Sequence, residues 1–176
     1  KAAVEKSGDP VLKQALAWSE AVNSMIADVV ENVPPFPFLR ESLEKIAQKA
    51  DAVVISSTPH EALSREWKEH GIDAFVREIA GQEMGKKSQH IAMAAGGRYP
   101  PEKILMIGDA PGDMKAARAN NALFYPIVPG REDASWERFH GEALDRFLAG
   151  TYGGAYEDAL VQEFLDGLPE TPPWKQ

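Results

Sequence analysis

The chain has 176 residues, 44% apolar and 26% charged, with 27 acidic against 19 basic side chains and a formal charge of −8. Its length suits one domain, with room for a small appendage and a self-sufficient core. Its acidity argues against nucleic acid as a partner, whose phosphates call for a clustered basic face, and its plain reading is solubility. The absence of cysteine excludes disulfides, thiolate metal sites and thiol nucleophiles, and fits a reducing cytoplasm. No apolar run approaches the roughly 20 residues of a membrane helix, and residues 1–10 hold no signal-peptide core.

Asp9-Pro10 pairs a capping carboxylate with a first-turn proline, and apolar residues then recur near helical spacing, which predicts a helix over 10–31. The proline-rich stretch 32–38 breaks it and is the best boundary in the chain. Leu39, Leu43, Ile46 and Ala50 restart a helix. A buried strand (52–56), a turn at Thr58-Pro59 and a helix closed by Gly71 follow, then a weaker strand over 74–80 and a helix from about Ser88 to Ala95. Residues 103–108 give the strongest strand signal, followed by a helix over 113–120 and a strand over 122–128. Alternation of this kind means an α/β fold with a mainly parallel sheet. Residues 131–176 read as helical, with Trp136, Phe139 and Phe147 set to cover one face of the sheet or to form a dimer contact.

Open parallel sheets bind ligands at the carboxyl ends of their strands. Three loops of this chain place polar residues there: Ser56 and Ser57, Lys86 and Lys87, and Asp109. After the strand at 104–108, Pro111-Gly112 closes a tight loop that returns Asp113 beside Asp109. Two carboxylates about 4 Å apart repel by about 4 kcal/mol at an effective dielectric near 20. A hard divalent cation such as Mg²⁺ removes that cost; the alternative is that Asp113 only caps its helix and Asp109 only turns the chain. The Ser56 hydroxyl can bond a phosphoryl oxygen or simply begin a turn. At most one of the adjacent lysines can reach the same pocket, where its charge would offset that of a phosphate. The four histidines show no metal-ligand spacing; they sit within predicted helices and read as structural, His60 being the nearest to a site.

The order hydroxyl, lysine, then GDxxxD resembles the second, third and fourth motifs of the haloacid dehalogenase superfamily over about residues 34–130. VVISSTP matches the second motif, with Ser56 as the phosphate-contacting hydroxyl, and MIGDAPGD matches the fourth, with Asp109 and Asp113 as the metal-binding acids. Lys87 fits the third, since Ile91 falls where the family's first buried helix residue stands; Lys86 is the alternative. The resemblance implies a three-layer, Rossmann-like parallel sheet with helices on both faces. It divides the chain into a partial helical cap (1–33), a core (34–130) and a helical C-terminal extension packed on the core (131–176).

Members of the family carry a DxD motif after their first strand, and no apolar strand followed by DxD occurs in these 176 residues. That strand lies between those bearing the second and fourth motifs, and a sheet without it carries unpaired backbone groups on both sides of a gap. The resemblance thus implies a Mg²⁺-dependent, cytoplasmic phosphatase working through an aspartyl-phosphate, on a small phosphorylated substrate and with no nucleic acid or membrane as partner. The nucleophile and the central strand are expected upstream of Lys1, so that this chain alone is inactive. The alternative is a catalytically inactive relative that only binds phosphate or metal. A receiver domain of a signalling relay ranks lower, because there the acids come first along the chain and the lysine last. Substrate and oligomeric state are not legible.

Overall fold

The computed structural model describes residues 2–29, 33–168 and 175. It divides into two compact units, Lys1–Pro34 and Pro35–Gln176. In the first, α1 (Ala2–Ser7) and α2 (Pro10–Val29) are joined at Gly8, whose φ of +65° needs no side chain. The Val11 N–H donates to Asp9 Oδ1 across 2.7 Å, which is the expected cap. α1 was not expected, and positions 30–31 of the predicted helix lie outside the described residues.

The second unit runs α3 (Leu39–Ala47), β1 (Val53–Ile55), α4 (His60–Glu69), β2 (Glu78–Ala80), α5 (Lys87–Ala95), β3 (Leu105–Gly108), α6 (Pro111–Arg118), β4 (Leu123–Pro126), α7 (Glu132–Arg138), α8 (Leu144–Ala149) and α9 (Ala155–Asp166). A π-helical turn, Phe139–Ala143, joins α7 to α8. The class is the expected α/β alternation with parallel strands, and among the described residues the strands form two sheets: β1 pairs with β2, and β3 with β4. The strand expected over 74–80 shrinks to Glu78–Ala80. Gly71, at φ +58°, ends α4, and the N–H groups of Phe75 and Val76 bond back to Ile72 and Asp73 in a 3₁₀ turn. Ala74, Phe75 and Val76 suit a strand by composition, but the chain uses them to return from the end of α4. α6 begins at Pro111 rather than 113, since proline is tolerated in a first turn where its missing N–H costs nothing.

β4 is buried on both faces by alternation. Tyr125 and Ile127 join Phe139, Ala143, Leu144, Tyr152 and Leu160 in one cluster, whereas Phe124 and Val128 join Ala117, Ala122 and Phe164 in another. Trp136 and Phe147, partly buried, pack against the first cluster. The C-terminal helices thus complete the core around β4.

The outer edges of both sheets are closed by side chains. On β4, the Phe124 N–H donates to Glu157 (2.9 Å), and its carbonyl accepts the Tyr152 hydroxyl (2.7 Å). Pro126 offers no donor there, and the Val128 N–H donates to Ser135 Oγ (3.0 Å). On β2, the Ile79 N–H donates to the Glu78 carboxylate (3.1 Å), and the Ile79 carbonyl lies 2.9 Å from His60 Nδ1. The inner edges differ. Residues 52 and 56 bond toward β2, and 104 and 108 bond toward β4. Alternation then turns Val53, Ile55, Leu105 and Ile107 the other way, where their N–H and C=O groups find no partner among the described residues.

Candidate functional site

Ser56, half-buried, follows β1, and its Oγ accepts the Thr58 N–H at 3.1 Å in a local turn; Ser57 is exposed. The loop after β2 locks onto this turn. Gln82 N–H donates to the Thr58 carbonyl (3.0 Å), and Glu83 Oε2 accepts the His60 N–H (3.1 Å), serving the start of α4 from another segment. Bonds from its own N–H and from that of His60 hold the Glu83 carboxyl below the ordinary range. Gly81 permits the approach: a side-chain carbon there would stand 2.5 Å from His60 N. Gly85, at φ +123°, then turns the chain into α5, where the Lys86 N–H donates to Gln89 Oε1 (3.0 Å).

Of the two lysines, Lys86 is exposed and Lys87 is half-buried, with Nζ 2.5 Å from Asp113 Oδ1. Asp113 lies in the first turn of α6 at 2% exposure, and its Oδ2 accepts the Ala110 N–H at 3.3 Å. The helix-capping role is therefore real, and the same carboxylate also meets a cation. Gly108 makes room for it, since a side-chain carbon there would come within 2.4 Å of Asp113 Cβ. Asp109, one residue beyond β3, is exposed and makes no side-chain hydrogen bond or ion pair among the described residues.

The Lys87–Asp113 pair fixes the layout. Lys87 follows the carboxyl end of β2 and Asp113 that of β3, while β1 runs parallel to β2 and β4 to β3. The carboxyl ends of all four strands therefore lie toward one end of the unit. The loops bearing Ser56, Lys87 and Asp109 leave from one end of the unit, where a doubly wound fold places its ligand. The structure brings Lys87 to Asp113 and couples the Ser56 turn to the lysine loop through Thr58 and Gln82. Among the described residues no side-chain hydrogen bond or ion pair joins Ser56, Ser57, Lys86 or Asp109 to either member of the pair.

Among the described residues no cluster of three His, Cys, Asp or Glu is placed to hold a metal. The two acids present, one exposed and one buried, are nonetheless hard oxygen donors of the kind Mg²⁺ uses, since that ion commonly takes one or two carboxylates and fills its shell with water and substrate phosphate. Asp113, with each oxygen engaged once, keeps lone pairs for such an ion.

His60 ties α4 to β2, with Nδ1 on Ile79 and Nε2 3.2 Å from Ser64 Oγ, a structural role. His90 is buried one turn after Lys87, and both its ring nitrogens lack a hydrogen-bond partner among the described residues. Neither the Glu83 cap nor the Lys87–Asp113 pair had a local signal: the partners stand 23 and 26 residues apart. No helix among the described residues is long and apolar enough to cross a membrane.

No curated protein and no solved structure shows significant similarity to the chain. Residues 1–125 match the haloacid dehalogenase-like hydrolases, a match that ends within β4 and leaves α7–α9 beyond it. With that match over most of its length, the chain belongs to the haloacid dehalogenase-like hydrolase family.

Proposed function

We propose that the intact protein is a cytoplasmic phosphatase, hydrolysing a small phosphate ester with Mg²⁺. The observation that carries this reading is the Lys87–Asp113 pair, with the exposed Asp109 in the turn between β3 and α6 that also brings in Asp113. Lys87 has three N–H donors and gives one to Asp113, which leaves two for phosphoryl oxygens. The Ser56 hydroxyl and the backbone amides of its turn donate to the same group. Asp109 and Asp113 would hold Mg²⁺, which offsets charge on the transferring phosphoryl group.

An aspartate carboxylate from outside these 176 residues attacks phosphorus, and the ester P–O bond breaks as the leaving oxygen takes a proton from a second acid. Water then cleaves the aspartyl-phosphate to orthophosphate, so one difficult displacement becomes two easier ones. The chain without that aspartate does not turn over.

The second reading is a phosphate- or metal-binding protein without catalysis, favoured by the lack of any apolar strand followed by DxD in residues 1–176. Phosphate release from a generic aryl phosphate by the full-length protein separates the two. The hydrolase reading expects turnover that chelation abolishes and that Ser56→Ala and Asp109→Asn each lower at least tenfold. Turnover no higher than in those variants supports the binding role instead.

A further inference from the structure

We infer that a cavity at the amino ends of β3 and β4 is a binding site for a small zwitterion with an apolar side chain, as a free apolar amino acid has. The cavity measures about 250 Å³ and is lined by Glu102, Leu123, Phe147, Gly150, Tyr152 and Gly153. Leu123 opens β4, and Glu102 belongs to the 3₁₀ turn Pro101–Lys103 that leads into β3. A strand of four residues rises about 13 Å, so the cavity lies a strand's length from Asp109. Its ligand is therefore not the group that Asp109 serves. Phe147, Gly150, Tyr152 and Gly153 lie beyond the residues that match the family, so the site belongs to the C-terminal extension as much as to the core.

The first ground is room. Tyr152 is fully buried, Leu123 and Phe147 are half-buried, and all three belong to or pack against one core cluster, so these walls are fixed. The Tyr152 hydroxyl donates to the Phe124 carbonyl (2.7 Å), which holds that ring in place. Glycines leave the remaining space. Gly150 ends α8 at φ +75°, where a side chain is strained, and a side-chain carbon at Gly153 would stand 3.1 Å from Leu123 Cδ2. A cavity of about 150 Å³ lined by aliphatic and aromatic side chains accepts benzene. The space here takes a side chain of that size with a polar head beside it.

The second ground is the pair of opposite charges at the mouth. Glu102 lines the cavity, and Lys103 Nζ lies 3.9 Å from where a side-chain carbon at Gly150 would stand. Both side chains are exposed, and neither makes a hydrogen bond or ion pair among the described residues. Other cations that face the extension are paired: Lys45 with Asp145, Arg118 with Glu157 and Arg146 with Glu142. An α-amino acid carries an ammonium and a carboxylate on one carbon. The ammonium meets Glu102 and the carboxylate meets Lys103, while the side chain enters against Leu123 and Phe147. A phosphate ester is disfavoured, because its charge would face the Glu102 carboxylate. Solvated ion pairs contribute little, so most of the affinity comes from the apolar surface covered, and binding is weak.

This inference concerns a second site and stands whether or not the protein hydrolyses phosphate esters. The test is a titration of the 176-residue chain with L-phenylalanine, followed through backbone amide shifts. Glycine, phenethylamine and hydrocinnamate are the controls, lacking the side chain, the carboxylate and the amine respectively. Saturable shifts are expected at residues 102–103, 123 and 147–153 with L-phenylalanine, and each control should bind at least threefold more weakly. Glu102→Gln and Lys103→Met, both surface changes, should each weaken binding at least threefold. The inference is overturned if L-phenylalanine gives no saturable shifts there at tens of millimolar. It is overturned equally if any control binds as well, or if either variant binds as the parent chain does.

Discussion

Lys87 Nζ stands 2.5 Å from Asp113 Oδ1, so the first turns of α5 and α6 are joined by an ion pair whose carboxylate is 2% exposed and whose lysine is 30% exposed. Removing the lysine leaves a buried charge without a counter-ion, which costs more than the pair itself contributes. Lys87→Met should destabilise the chain by about 2–3 kcal/mol. Lys87→Met with Asp113→Asn should lose less than the two single changes summed. Urea denaturation of the four proteins in the cycle measures both; additive losses would show that the pair contributes no coupling.

Gly108 is set by the close passage of Asp113. In Gly108→Ala the new carbon meets a short side chain held at both oxygens, and the expected loss is about 1–3 kcal/mol. Gly112, in the first turn of α6, has open space where a side chain would go, so Gly112→Ala is the nearby control and should change stability little. Thermal melts of the two variants side by side check the contrast.

The closed edge of β4 makes its own prediction. Tyr152→Phe leaves the Phe124 carbonyl buried and unpaired, a loss of about 1–3 kcal/mol. Faster exchange confined to β4 and its surroundings should accompany it.

Glu163 receives Arg138 at 2.7 Å and Arg131 at 3.1 Å. The hydrogen bond from Arg138 is the chief cause that holds its carboxyl below the ordinary range, with further help from the charges of both arginines. A depressed folded value means that this stabilisation is fully present above the unfolded value, about 4.3, and is lost as pH falls through the folded one. Both arginines are largely solvated, so the amount is about 0.5–1 kcal/mol. In urea melts between pH 3 and 7, Glu163→Gln should cost about that much near neutrality and little at the acid end. A loss independent of pH would assign the effect to packing.

The features legible in the sequence were those set locally. The run Ile104–Ile107, the turn residues after Gly108 and the cap at Asp9 each depend on neighbours within a few positions, and each formed where expected. Residues 74–76 misled because an apolar composition suits a strand, while Gly71 and the return from α4 required a turn. The loops that carry Ser56, Lys87 and Asp109 could be placed from strand ends alone. That Lys87 meets Asp113, that Glu83 serves α4, and that Tyr152 and Glu157 close β4 all depend on packing between distant segments. That the strands leading to Ser56 and Asp109 do not pair with each other among the described residues was expected from the missing DxD strand and not from strand composition.

The most direct test of the proposed Mg²⁺ and phosphate site is a Mg²⁺ titration of the 176-residue chain and of Asp109→Asn, with orthophosphate present, followed through backbone amide shifts. Saturable shifts are expected at Lys87 and at residues 108–113 in the parent chain, extending to the Ser56 turn with phosphate, and lost in Asp109→Asn. Equal shifts in Asp109→Asn, or shifts centred away from the carboxyl ends of the strands, would contradict it.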